Sequence, residues 1–437
     1  MRKIGVLFLL FAGLTAFVYF YEIEGEEKRE EARELEGSLF QMKKEEITQV
    51  EIEASVKDLV RLQKDGERWV LKSPVETLAD EETVDSLVRN IGTAKIERNF
   101  EQGGENAAAY GLSEPRLKLK VKAGEREKTL RVGADDYTGN QVYVQFEGQS
   151  QVYLTSDSMF TTADKEVIDW RSKKVLHFNR DKARIVEINR PAGRLRLRKQ
   201  EDQWLIEEPL QEPADGSSVS SLLSSLEFAE AERFVAEEAG DGTPYGLDSP
   251  PIMVRIQQEG EDSWETLQLG DKDPEGEEYL AQNLDRSSVF AVKKEIYDKL
   301  TQDLWELRDR EVMDIEQDQV AKVAIRRGQD EILLKQEDLK WTVEKPDSHK
   351  GKEALAYKFW YPIDDLRFET IEDEEDGFPQ ADVQVVLTLK DGSSRQFEFT
   401  QSGDGAYRAR RTESGRQGSI SKESFEKLKF EIDDIVS

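Results

Sequence analysis

Two histidines and no cysteine are the whole of what this 437-residue chain offers to transition-metal or thiol chemistry. His177 stands in Val-Leu-His-Phe and His349 in the polar run Pro-Asp-Ser-His-Lys, and neither has a second histidine at ligand spacing. Without cysteine there is no disulfide framework, no thiolate metal site and no thiol nucleophile. The chain has no Gly-x-Ser-x-Gly to present a serine nucleophile. It also has no Gly-x-x-x-x-Gly-Lys to cradle a phosphate and no Gly-x-Gly-x-x-Gly ahead of a helix. Its 92 acidic residues are too many for any one pair to mark a carboxylate-dependent hydrolase, whose two carboxyl groups are set by distance in space. In the loop Asp271 to Glu278, Asp271, Asp273 and Glu275 alternate ahead of Gly276, as oxygens do at the start of a calcium loop. The twelfth position is Gln282 where a bidentate Glu belongs, and no helix is indicated on either side, so a hairpin loop is the expected structure. No catalytic, cofactor-binding or metal-ligating residue is nominated, no cofactor is expected, and the chain is expected not to be an enzyme.

What organises the chain is a repeat. Trp69 to Pro74, Trp204 to Pro209 and Trp341 to Pro346 share one Trp-x-x-x-x-Pro spacing, each with a leucine seven residues earlier: Leu62, Leu197 and Leu334. In the first two copies the match continues at a constant offset of 135 residues through Asp80 and Asp215, Leu87 and Leu222, and Arg98 and Arg233. It ends in Tyr110-Gly-Leu-x-x-Pro115 and Tyr245-Gly-Leu-x-x-Pro250. A fixed period of this kind marks tandem units.

Within each copy the apolar pattern names the elements. Alternation at Val50, Ile52, Val60 and Leu62, resumed after Asp65-Gly66 by Trp69 and Leu71, predicts a hairpin with one buried face. The tryptophans are then core anchors, although an indole can also line a sugar site. Behind Asp80, Val84, Leu87, Val88 and Ile91 follow at helical spacing, and Asp215 precedes Val219, Leu222, Leu223 and Leu226 in the same way. Both read as N-capped amphipathic helices. The third copy has Phe359, Trp360 and Ile363 but no capping Asp, and it inserts Pro362, which predicts a shorter or kinked helix. Further alternating runs, such as Leu117, Leu119 and Val121, complete an antiparallel sheet. The fold class is α+β: three tandem repeats, each an antiparallel β-sheet with one packed amphipathic helix. The tails Asp169-Trp170-Arg171 to Val175 and Glu306-Leu307-Arg308 to Val312 are expected to bridge successive repeats, and copy three ends without one.

The amino terminus gives location. Met1-Arg2-Lys3 precedes an uncharged run from Ile4 to Tyr21, and Glu22, Glu24, Glu26 and Glu27 follow it. Eighteen residues of helix span about 27 Å, close to bilayer thickness, and the charge asymmetry keeps the amino terminus cytoplasmic. A cleaved signal peptide is the alternative; its best site follows Ala16, where Leu14 fits poorly and apolar residues continue to Tyr21. The expected divisions are 1–21, short cytoplasmic amino terminus and transmembrane anchor; 22–45, charged helical stem; 46–178, first repeat; 179–316, second repeat; and 317–437, a divergent, shortened third repeat. A net charge of -30 argues against nucleic acid as a partner, which would need a cationic face.

The anchor, the repeated hairpin-Trp-x-x-x-x-Pro-x-x-x-x-x-Asp-helix segments and the Tyr-Gly-Leu-x-x-Pro corner together resemble the bacterial domain-of-unknown-function family 4340 (DUF4340). The resemblance is clear in the first two copies and weaker in the third. It implies association with ABC-type export systems of the gliding-motility class, through permease and ATPase subunits as partners, and it carries no catalytic residues over. The expectation is a single-pass protein of the plasma (inner) membrane with its bulk periplasmic or extracytoplasmic, acting as a non-catalytic accessory or scaffold. The alternatives are a module that binds envelope glycan or polymer and, behind it, a carboxylate-dependent hydrolase.

Overall fold

Residues 47–73 alternate in burial as they alternate in polarity, and a left-handed Gly66 (φ +61°) turns the chain between Val60–Asp65 and Arg68–Ser73. The same turn position in the other copies holds Glu201 (φ +54°) and Asp338 (φ +48°), so the Asp-Gly signature is confined to copy one while the turn is not. In the computed structural model, described over residues 37–437 except 101–105, 275, 373–376 and 404, the strands form sheets of nine, nine and eight. The anchor and most of the stem lie outside the described residues. Among those residues no helix is long and apolar enough to cross a membrane.

The first sheet comprises β1 (Ile47–Ala54), β2 (Val60–Asp65), β3 (Arg68–Ser73), β4 (Thr77–Leu78), β5 (Arg98–Phe100), β6 (Leu117–Ala123), β7 (Arg126–Asp135), β8 (Gln141–Phe146) and β9 (Val152–Ser156). Their order is β4-β3-β2-β1-β6-β7-β8-β9-β5, with antiparallel neighbours throughout. The eight-stranded sheet repeats this order, with the bridge of Glu372 to Gln417 in the place of β5. The chain forms two compact units, and the division falls within the second repeat. One unit takes residues up to 179 with 225–255 and 263–298; the other takes 180–224, 256–262 and 299–437.

Helix α1 (Glu81–Thr93) starts where Asp80 accepts the Thr83 N–H at 2.9 Å, and it buries Val84, Leu87, Val88 and Ile91 in the first core. Helix α2 (Gly216–Glu227) starts in the same way, with Asp215 accepting from Ser218 at 2.6 Å. Helix α3 (Ala356–Asp364) has no side-chain cap at Leu355 and carries Pro362 within it. It is nine residues long where α1 has thirteen, as expected of a helix without its cap and with an interrupted ladder. The three tryptophans are in the cores, with Trp69 9%, Trp204 7% and Trp341 1% exposed. Each repeat also carries short helices not expected from periodicity, such as Ser158–Ala163, Lys294–Thr301 and Lys422–Glu426, none longer than eight residues.

The Tyr-Gly-Leu corner depends on a second glycine that lies far away in sequence. Ala134 donates its N–H to Tyr110 O at 2.8 Å, and the chain passes so closely that a Cβ on Gly133 would sit 2.1 Å from that carbonyl. Gly270 stands in the same relation to Tyr245 O, at 2.0 Å. In the third repeat Val383 pairs with Phe399 as Leu117 pairs with Val132, which puts Thr400 where Gly133 would be. Thr400 donates to Gln380 O at 3.0 Å, and the corner is gone with its glycine.

Each tail is one strand shared between two repeats. Trp170 O accepts from Asp80 N–H at 2.9 Å and Ser172 N–H donates to Leu78 O at 2.9 Å, which holds the first half on β4 of the first repeat. Three residues on from Ser172, Val175 N–H donates to Ala229 O at 3.0 Å, and Lys173 O accepts from Ala231 N–H at 2.7 Å, Ala229 and Ala231 both lying in the second repeat. The second tail does the same. Asp215 N–H reaches Leu307 O at 2.8 Å, Val312 N–H reaches Leu366 O at 2.9 Å and Phe368 N–H reaches Arg310 O at 2.7 Å.

The same ladder corrects two expectations. Residues 37–45 were placed in the charged stem, yet Leu39 N–H donates to Ala94 O at 2.7 Å and Ile96 N–H to Gly37 O at 3.0 Å, as the incoming half of a tail would do. Leu39, Phe40 and Met42 are buried, so this stretch completes the first repeat. At the other end, Leu355 N–H reaches Ile435 O at 2.8 Å and Ser437 N–H reaches Glu353 O at 3.1 Å. Copy three thus has the first half of a tail after all, with Glu431, Asp434 and Ser437 where the first tail has Glu166, Asp169 and Ser172, but with Ile435 and Val436 in place of Trp170 and Arg171.

Candidate functional site

The hand-off from first to second repeat encloses a pocket of about 320 Å³. The tail supplies its floor. Because Arg171 is bridged to Ala79 its side chain is fixed in depth at 4% exposure, with Nη1 donating to Glu237 at 2.8 Å and the guanidinium lying over the Phe234 ring, 3.5 Å from its centroid. Six residues on, His177 donates its backbone N–H to Glu265 at 3.2 Å. The far wall is the turn between strands Tyr279–Asn283 and Val289–Val292. From it Asn283 donates to Val175 O at 2.9 Å, and Arg286 reaches Ser172 O at 3.3 Å and the His177 ring at 3.0 Å.

These surroundings set the charge states. Burial, followed by the positive charges of Arg286, Arg68 and Lys174, pushes His177 from its ordinary 6.5 down to about 3. A neutral imidazole can accept from Arg286, and Ser172 Oγ is 3.4 Å from Nε2. Burial lowers Arg286 to about 10 and raises the Glu265 carboxyl above its usual range. Neutral at every physiological pH, His177 is a fixed hydrogen-bond partner and not a proton shuttle.

The depressed histidine has a consequence for stability. Its folded value lies below its unfolded one, so between about pH 6.5 and 3 the unfolded chain binds the extra proton, and stability falls as pH falls, by up to about 1.4 kcal/mol per unit. Glu265 acts in the opposite sense, because its raised carboxyl favours the protonated native state. Replacing His177 with Gln is expected to flatten the acid limb between pH 6.5 and 4. Denaturant titrations at half-unit steps check this, and an unchanged limb would mean the imidazole is protonated in the folded protein.

The other features singled out in sequence lie elsewhere. His349 is tied to Asp433 at 2.9 Å and to Ser348 at 2.9 Å in the third repeat. In the Asp271 to Glu278 loop the chain's own cations take the carboxylates: Arg233 pairs with Asp273 and, at 3.3 Å, with Glu278, and Lys272 reaches Glu277 at 3.0 Å. Among the described residues no three histidine, aspartate or glutamate side chains are grouped so as to hold a metal. Arg171, Glu265 and Arg286, which make the pocket, went unremarked in sequence apart from Arg171 as part of the tail. The one signal was the recurrence of Arg at 171 and 308.

The family model of a domain of unknown function, DUF4340, matches residues 69–212 and again 204–391, well over half of the chain. The chain belongs to the DUF4340 family. The two matches begin at Trp69 and Trp204, the first residues of the first two frames, and the first runs through the shared tail into the next frame. No curated protein matches the chain.

Proposed function

We propose that this DUF4340 protein is a non-catalytic, membrane-anchored accessory or scaffold of an ABC-type export complex of the gliding-motility class. The apolar run from Ile4 to Tyr21 would hold it at the plasma membrane, with the repeats on the extracytoplasmic side. The observation that favours a scaffold is the hand-off itself. Each tail pairs with one repeat through Ser172 or Asp309 and with the next through Val175 or Val312, leaving no linker between them. Repeats joined through a common strand hold relative position, which is what a spacer or docking arm in an assembly requires. A chain with one span and no ATP-binding loop needs ATPase and permease subunits for any transport role.

The glycan-binding alternative drew on the tryptophans as stacking platforms, and burial of all three takes away that support. Crosslinking in intact membranes and recovery through a carboxy-terminal tag tests the proposal. An ABC-type ATPase and its permease are the expected companions, and recovery of envelope polymer or of this chain alone would count against it.

A further inference from the structure

The two hand-offs share one backbone plan, yet one is filled with charge and the other is hollow. At the second, Arg308 donates to Glu212 at 2.9 Å and Arg416 pairs with the same carboxylate at 3.2 Å. Arg411 reaches Asp309 at 3.3 Å and the carbonyls of Glu311 and Val312 at 2.7 and 3.0 Å. Strand register fixes the counterparts at the first hand-off. Thr77 stands for Glu212, since they pair with Leu71 and Ile206. Ser172 stands for Asp309, since both donate to the residue before the bridged alanine. Asn283 stands for Arg411, each capping the tail valine carbonyl, and Ser288 stands for Arg416, directly across the hairpin. Four charged side chains, three of them long, are thus replaced by four uncharged polar ones, and Thr77, Asn283 and Ser288 line the pocket where the three long ones stand at the second hand-off.

Two charged groups in that pocket are left incompletely served. Arg171 is the counterpart of Arg308 and equally fixed by its bridge, but Thr77 cannot supply the carboxylate that Glu212 gives, and the ion pair Arg171 makes instead is with the exposed Glu237 at 2.8 Å. The Arg171 Nε is buried without a hydrogen-bond partner among the described residues, in a side chain only 5% exposed. Arg286 stands beside it, bonded to neutral groups only. Across the pocket Glu265 accepts from the His177 N–H and from Asn283, and among the described residues it has no ion pair within 4.0 Å, the Arg286 charge acting on it only from farther away. Burying a guanidinium or a carboxylate short of partners costs free energy that an occupant of opposite charge would recover.

The sign of the occupant follows from the balance of the walls. Arg68, Arg171 and Arg286 face Glu76, Glu237, Glu265 and Asp285, so a bare anion would meet as much repulsion as attraction. We propose that the pocket binds a small zwitterion of the α-amino-acid class, with its carboxylate on Arg171 and Arg286, where Glu212 sits at the other hand-off, and its ammonium on Glu265. About 320 Å³ is at the small end of ligand pockets, as such a molecule requires.

The test is calorimetric titration of the purified full chain in detergent with a panel of α-amino acids, and with acetate, inorganic phosphate and methylammonium as half-ligands. Saturable binding of at least one amino acid, far tighter than of any half-ligand, is expected. Thr77→Glu with Ser288→Arg refills the pocket with the side chains of the second hand-off, and should abolish binding while leaving the unfolding midpoint unchanged or higher. Glu265→Gln removes the ammonium partner and should weaken the amino acid by roughly tenfold to a hundredfold, the usual worth of a charged hydrogen bond. Three results would overturn the proposal: no saturable binding of any amino acid at millimolar concentration, acetate or phosphate binding as tightly as the amino acids, or undiminished binding in the refilled or Glu265→Gln variants.

Discussion

Alanine at position 133 is expected to cost the first repeat about 3 kcal/mol or more, a large penalty for one methyl group. The added Cβ would lie 2.1 Å from Tyr110 O and 3.1 Å from Leu112 Cγ. Neither neighbour can retreat cheaply. Tyr110 O is held by the Ala134 N–H, and the next residue, Gly111, is left-handed at φ +69°. Relief therefore means breaking the corner or bending β7, and forced overpacking of this kind sits at the upper end of single-residue effects. Guanidinium titration followed by tryptophan fluorescence reads the change. Gly270→Ala should behave alike, its Cβ falling 2.0 Å from Tyr245 O, whereas Thr400→Ser at the counterpart in the third repeat should cost about 1 kcal/mol or less. Equal effects at all three positions would mean that the corner is not what the glycine serves.

Trp170→Ala is expected to remove about 3–5 kcal/mol, the range for truncating a fully buried indole. Trp170 packs in the first core at 0% exposure, one residue before the strand that crosses to the second repeat. Its loss should therefore weaken the hand-off as well as the core. Hydrogen exchange should accelerate at the Val175 and Ala231 amides, which bond across to or from the second repeat, as well as at Ser172 and Asp80. Trp170→Phe should cost far less, because the indole N–H it deletes is buried with no partner. If exchange at Val175 stays slow in Trp170→Ala, the two halves of the tail are anchored independently and the shared strand does not couple the repeats.

Where the sequence was read correctly, the determinants are local. Asp80 and Asp215 announce helix starts because an N-cap bonds three residues ahead, and Pro362 shortens α3 because it acts on the preceding turn. Trp69, Trp204 and Trp341 declare themselves core residues because alternation of period two places them on the same face as their leucines. The lead-in from Gly37 to Met42 carries the apolar pattern of Lys173 to Phe178, with Leu39, Phe40 and Met42 standing for Val175, Leu176 and Phe178. So short a match beside a charged stretch does not mark a strand, and the hydrogen bonds of Leu39 and Ile96 show that the two stretches do the same thing. The pairing of Gly133 with Tyr110 was hidden for a related reason, since a close approach between distant segments leaves no mark on either alone.

The sequence by itself determined the repeat, its α+β character, the caps and the buried face of each hairpin, because these follow from bonds and periodicities a few residues long. The tertiary structure decided that the tail is a strand shared by two repeats, and that Thr77, Ser172, Asn283 and Ser288 stand where the next hand-off has Glu212, Asp309, Arg411 and Arg416. A short polar residue in a chain with 35% charged residues carries no message until strand register sets it opposite the one it replaces, and register is a long-range property of the folded sheet.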